Sequence, residues 1–89
     1  MNLSAEYQLV NRLGLHARAA AQLVQTANRF KADVMVAKDG EEVNGKSIMG
    51  LLMLAAPVGS LLRVTVAGDD AGAALQAIGE LIDDGFGER

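Results

Sequence analysis

The hydrophobic repeat of this chain switches back and forth between two periods, and that switching restricts the fold more than any other feature. From about residue 3 to 10, Leu3, Ala5, Tyr7 and Leu9 alternate with Ser4, Glu6 and Gln8, the pattern of a half-buried strand. From Ala17 to about Phe30 the spacing turns helical: Ala20, Leu23, Val24, Ala27 and Phe30 share one stripe. Val34-Met35-Val36 predicts a second strand, Asp39-Gly40 a tight turn, and Glu41-Glu42-Val43 a short third strand. Ser47 is a good N-cap for a short helix running to about Leu54 or Ala55. Gly59 and Ser60 restart the chain as a strand with Leu62, Val64 and Val66 on one side and Leu61, Arg63 and Thr65 on the other. Gly68-Asp69-Asp70 opens a last helix, with acidic residues at its positive end and Ala71, Leu75, Ile78 and Ile82 as its buried stripe. Gly72 and Gly79 weaken that helix by about 1 kcal/mol each relative to Ala, so packing must hold it.

The order is therefore β-α-β-β-α-β-α. Strands that alternate between apolar and polar positions are half-covered antiparallel strands. The expected class is α+β: an open-faced sandwich in which three helices cover one face of a four-stranded antiparallel sheet and the other face stays wet. With 89 residues, the chain reads as one domain over 1–89. Apolar residues make up 51% and aromatics 3%, so its core is aliphatic and its active site, if any, is shallow.

Charge and composition remove several function classes. The net charge of −3 argues against nucleic-acid binding, which requires a basic surface and often stacking aromatics. No cysteine and a single histidine leave no expected metal site, and no cofactor is implied. Met1 to Glu6 has no basic region followed by an apolar stretch, so no signal peptide is expected. The most apolar stretch, Ile48 to Val58, is too short to span a bilayer and contains Gly50 and Pro57, so no membrane insertion is expected either. The expectation is a soluble, cytoplasmic monomer.

The second predicted helix is apolar nearly all the way round: Ile48, Met49, Leu51, Leu52, Met53 and Leu54. Such helices are normally buried on every side, which a single-layer domain this small cannot achieve. Some of Ile48, Met49, Leu52 and Met53 should then be exposed as a docking patch for partners. A last helix folded over them is the alternative.

The chemistry concentrates in Gly14-Leu15-His16-Ala17-Arg18, which holds the only histidine. A neutral imidazole at a helix start faces free backbone N–H groups and the positive end of the dipole, which suits a phosphoryl group on the ring. Arg18 adds a guanidinium suited to phosphate. Taken alone, this local pattern is explained more simply by a surface or cap histidine, and Arg18 by a solvated helix charge. Ser47 likewise reads both as a plain N-cap and as a phosphorylation site. No pair of carboxylates here makes a case for acid–base catalysis.

Gly14-Leu15-His16-Ala17-Arg18-Ala19-Ala20 resembles the active-site motif of the HPr family, the histidine-containing phosphocarriers of the bacterial sugar phosphotransferase system. Asn44-Gly45-Lys46-Ser47-Ile48-Met49-Gly50-Leu51-Leu52 resembles that family's regulatory serine region, and the likeness runs from about Leu9 to Gly87. The resemblance implies the same β-α-β-β-α-β-α sandwich. It implies that His16 takes a phosphoryl group on Nδ1 from Enzyme I, itself charged by phosphoenolpyruvate, and passes it to a IIA domain, with Arg18 stabilising the phosphate. It implies a carrier, not an enzyme, and a regulatory role for Ser47 where a host has an HPr kinase/phosphorylase. One departure stands out: Ala19 occupies a position where the family usually has proline. The substitution frees the unfolded chain, at a cost of about 0.4–1 kcal/mol. It is compatible with a nitrogen-type paralogue that acts mainly as a regulatory binding protein.

Overall fold

The computed structural model describes residues 1–88. In chain order the elements are β1 (Asn2–Gln8), α1 (Ala17–Ala27), β2 (Asp33–Lys38), β3 (Glu41–Asn44), α2 (Ile48–Met53), β4 (Leu61–Ala67) and α3 (Ala71–Asp83), followed by a single 3-10 turn at Gly85–Gly87. The four strands form one antiparallel sheet in the order β1-β4-β2-β3. The expected open-faced sandwich is what forms.

Register explains the core. Leu3 and Val34 both lie beside Val66, Ala5 and Val36 beside Val64, and Tyr7 beside Leu62, so the alternating apolar residues of neighbouring strands share one face. A one-residue slip would turn that whole set to water. Val34, Val36, Leu62, Val64 and Val66 are fully buried, together with Leu23 of α1, Leu51 of α2 and Ile78 and Ile82 of α3. On the opposite face Ser4 and Thr65 meet at their hydroxyls, and Arg63 reaches Glu6 in an exposed pair worth little to stability.

The helices follow the predicted stripes with local exceptions. The first ends at Ala27, not Phe30. Asn28, Arg29 and Phe30 turn back instead, and the Phe30 carbonyl accepts from the Lys46 ammonium at 2.8 Å. Leu75 is half-buried, whereas Ala71, Ala74, Ile78 and Ile82 form the buried stripe of α3. Asp70 precedes α3 but does not cap it. Its carboxylate accepts from the N–H groups of Lys31 and Ala32 at 2.9 and 2.8 Å and ties the α1–β2 connection to the start of α3. Those donors hold the Asp70 carboxyl below its usual range, the Lys31 N–H most of all.

The apolar α2 lies as expected. Leu51 and Leu54 are buried against α1 and the sheet, whereas Ile48 (41%), Met49 (71%) and Met53 (68%) are exposed. Leu52 departs from that set, being half-buried and packed against the core. The last helix does not take the role of a cover: it packs over β1 and β4 and against α1. No helix among the described residues is long and apolar enough to cross a membrane.

Candidate functional site

The connection between β1 and α1 is built to hold one side chain still. Gly14 has φ +66, a left-handed conformation that favours glycine, and a Cβ there would sit 2.4 Å from the Ala56 carbonyl oxygen. Leu15 donates its N–H to that same oxygen at 2.9 Å and buries its side chain. The loop is thus pressed against the segment that follows α2. Asn11, itself buried, donates its side-chain amide to the Gly14 carbonyl at 2.7 Å.

His16 follows as the N-cap of α1, extended at φ −80 and ψ 179, and its carbonyl accepts the first helical bond, from Ala20. Its Nδ1 accepts from the Arg18 backbone N–H at 3.3 Å. A ring nitrogen that accepts carries a lone pair, so the proton of the neutral ring belongs on Nε2. Nε2 is engaged by a carboxylate oxygen of Glu88. The two ring nitrogens therefore differ: one points its lone pair at the helix start, the other is tied to an acid.

Glu88 escaped the sequence reading, as did Asn11. The Asn11 amide donates to the second carboxylate oxygen of Glu88 at 3.1 Å. That amide first, and the His16 ring second, hold the Glu88 carboxyl below its ordinary range, with Arg18 adding a smaller effect. The route that brings Glu88 here is the 3-10 turn. Gly85 and Phe86 both have positive φ, and Phe86 is buried like a plug, so the chain end is folded back onto the β1–α1 loop. An aromatic between two glycines just past a helix is the only local sign of this arrangement, and nothing local ties residue 88 to residue 16.

His16, Glu88, Arg12 and Arg18 line an open cleft of about 850 Å³, with Val10 and Leu13 exposed at its rim. The Arg18 guanidinium makes no hydrogen bond or ion pair among the described residues and is free for an anion. The cleft can accept a charged group on Nδ1, with the α1 N-terminus on that side and the Arg18 side chain in the same cleft lining. No group of histidines, cysteines and carboxylates among the described residues is placed to hold a metal ion.

The structure brings His16 and Arg18 together. Ser47 and the apolar α2 residues stand apart from the cleft lining, on a helix packed against α1. Ser47 is the N-cap of α2, its hydroxyl accepting from the Gly50 N–H at 3.0 Å.

Comparison with known proteins gives this geometry a family. Residues 3–84 match the PTS-HPr family model, described as the PTS HPr component phosphorylation site. A phosphocarrier protein HPr of Xylella fastidiosa is 46% identical over 86 residues, covering 97% of each chain. An HPr crystal structure from Thermoanaerobacter tengcongensis superposes with a TM-score of 0.94 at 40% identity, over 98% of each chain. A structure of an HPr dimer from the same organism gives a TM-score of 0.78 at 43% identity, over 92% of this chain and 94% of that one. With the fold shared nearly end to end, and the histidine and arginine on one cleft at a helix start, this chain belongs to the HPr family of the phosphotransferase system.

Proposed function

We propose that this chain is a phosphoryl carrier in which Nδ1 of His16 takes a phosphoryl group from Enzyme I, charged by phosphoenolpyruvate, and passes it to IIA domains for sugar uptake. Family membership supports the carrier role. The observation that carries the site assignment is the ring itself: Nδ1 is the nitrogen that carries the lone pair, and it faces the N-terminus of α1.

The chemistry follows from that placement. The Nδ1 lone pair forms the new N–P bond while the donor's bond to phosphorus breaks and its electrons return to the donor. The transition state is loose, so positioning and charge stabilisation matter more than covalent help. The Arg18 N–H makes only a long 3.3 Å bond to Nδ1, so turning to a phosphoryl oxygen loses little. The helix N-terminus and the Arg18 guanidinium supply the remaining stabilisation. An open cleft with few donors holds the group without trapping it, as a carrier requires.

Docking belongs to Ile48, Met49 and Met53, with Leu52 contributing only an edge. Burying those side chains against a partner removes apolar area from water at about 25 cal/mol per Å². The working form is a monomer, with the exposed face of α2 left for partners. Ser47 is the regulatory phosphorylation site in hosts with HPr kinase/phosphorylase, because its added charge falls beside Ile48 and Met49.

The test is incubation of the protein and of His16→Ala with Enzyme I and phosphoenolpyruvate. Acid-labile, alkali-stable phosphate is expected on the first and none on the second. Labelling of His16→Ala, or a wild type that stays unlabelled, overturns the assignment. Onward transfer to a sugar-specific IIA domain separates the sugar carrier from a nitrogen-type regulator.

A further inference from the structure

Glu88 is held more firmly than an ordinary surface carboxylate. One oxygen is engaged by His16 Nε2 and the other accepts from Asn11 Nδ2, which also donates to the Gly14 carbonyl. Buried Phe86 anchors the segment two residues before it. The Asn11 side chain leaves its own oxygen buried without a partner among the described residues while aiming its donors at Gly14 and Glu88. An orphaned buried acceptor is costly, so this orientation is not the arrangement a free amide would adopt. The charged groups that line the cleft with the ring are Glu88, Arg12 from the loop and Arg18 from α1.

We propose that Glu88 is a positioning residue for phosphoryl transfer: its carboxylate keeps the ring proton on Nε2 of His16 in both halves of the carrier cycle. The inference rests on the reading that His16 is the acceptor. On acceptance, the Nδ1 pair forms the N–P bond and the Nε2 proton stays in place, so the ring becomes a phosphoimidazolium. Glu88 balances that ring charge from the Nε2 side, and Arg18, in the same cleft lining, is available to the phosphoryl group. On donation, the N–P bond breaks and its electrons return to Nδ1. Because Nε2 is still protonated, the ring leaves as neutral imidazole, a far better leaving group than imidazolate. A carboxylate that orients an imidazole and stabilises its protonated form is a recurrent device in histidine chemistry.

Glu88→Gln and Glu88→Ala in the full chain test this in two ways. The first readout needs no partner. In ¹H–¹⁵N NMR of the unphosphorylated protein, the His16 ring should show Nε2 carrying a low-field, slowly exchanging proton and Nδ1 bare. Both variants should lose the low-field signal. The second readout is kinetic. Acceptance from Enzyme I and donation to a IIA domain should each slow about tenfold in kcat, the low end of what carboxylate partners of functional histidines supply, with KM for Enzyme I nearly unchanged. Unchanged kcat in both variants overturns the proposal, as does a loss confined to KM, which would make Glu88 a docking contact. A wild type that takes no phosphoryl group overturns the acceptor reading and the inference with it. A wild type that takes it at the same rate as the variants overturns the inference alone.

Discussion

The two glycines of α3 should respond to the same substitution with opposite signs. Helix propensity alone favours Ala over Gly by about 1 kcal/mol in a helix interior, so Gly72→Ala and Gly79→Ala are equivalent on that ground. The structure separates them. Gly72 is exposed, and a Cβ there meets only Leu3 Cδ1 at 3.9 Å, an ordinary contact. Gly72→Ala should therefore stabilise by about 0.5–1 kcal/mol, raising Tm by roughly 2–8 °C for a domain of this size. Gly79 is buried beneath the Tyr7 ring, and a Cβ there would lie 2.6 Å from Tyr7 Oη and 2.7 Å from both Cε1 and Cζ. Two ring atoms and the hydroxyl oxygen at that range cannot be relieved by a shift of a few tenths of an ångström. The ring must leave the helix, breaking its 3.5 Å donation to the Leu75 carbonyl and uncovering apolar surface below.

Overpacking of this kind costs about 1–3 kcal/mol, which outweighs the propensity gain and leaves Gly79→Ala less stable by about 1 kcal/mol. Urea unfolding followed by far-UV circular dichroism measures both changes from the midpoints, provided the slopes agree. The decisive comparison repeats Gly79→Ala in a Tyr7→Ala background. With the ring gone, the substitution should become stabilising by about 1 kcal/mol, so the two sites couple by about 2 kcal/mol. If Gly79→Ala stabilises the wild type as Gly72→Ala does, or if its effect is the same without Tyr7, the close approach of ring and helix is not what selects glycine at 79.

Further expectations concern the site and its surroundings. Arg18→Ala should slow phosphoryl acceptance about tenfold while moving stability by less than about 0.5 kcal/mol, and unchanged transfer rates would reduce Arg18 to a surface charge. Met49→Glu should weaken binding to Enzyme I in an NMR titration without unfolding the protein, because this side chain is 71% exposed; an unfolded variant would place it in the core. Ser47→Asp keeps a good N-cap for α2, so its thermal midpoint should stay close to wild type while its phosphorylation by Enzyme I slows; a wild-type rate would leave Ser47 as a cap alone. Asp70 has a lowered carboxyl pKa in the folded state, so its contribution to stability is present above the ordinary aspartate value of about 3.9 and is lost as pH falls through the folded value. The stability difference between wild type and Asp70→Asn, followed by urea unfolding from pH 7 to pH 3, should be flat above about pH 5 and shrink below pH 4; a difference that grows on acidification would contradict the bonding to Lys31 and Ala32.

What the sequence made legible, and what it did not, divides by the distance over which each contact is made. The strands were readable because their faces alternate residue by residue, and the sheet register simply aligns Leu3 with Val66, Ala5 with Val64 and Tyr7 with Leu62. The exposed apolar face of α2 was readable for a similar local reason: six residues with apolar side chains on nearly every side, in a chain too short to cover them. His16 as an N-cap, with Arg18 two positions on, is also a local statement, and the structure places both on one cleft. Asp70 does open α3 as the sequence indicates, but the partners of its carboxylate are not legible there, because an acidic residue before a helix has two uses of equal local plausibility, the helix's own N–H groups or donors elsewhere. The choice is made by Lys31 and Ala32, which lie 39 and 38 residues away. From the sequence Gly79 only weakens α3, because the reason for it, the Tyr7 ring, comes from the opposite end of the sequence.

Glu88 is the extreme case, with 72 residues separating it from His16. Its position depends on a left-handed turn at Gly85 and Phe86, on burial of the Phe86 ring, and on an Asn11 amide turned toward it at the expense of its own oxygen. None of these leaves a periodic trace, because each is a single residue in a special conformation and not a repeated face. The part of the cleft that holds His16 and Arg18 is thus written in a five-residue motif, while the part that brings Glu88 to the ring is written in the packing of the residues around Phe86. A substitution such as Phe86→Ala, remote from any motif, should therefore loosen Glu88 and mimic Glu88→Ala in the ring NMR signal, and it should also destabilise the fold by about 3–5 kcal/mol as other buried phenylalanines do. A ring signal that survives in Phe86→Ala would mean that Phe86 does not anchor Glu88.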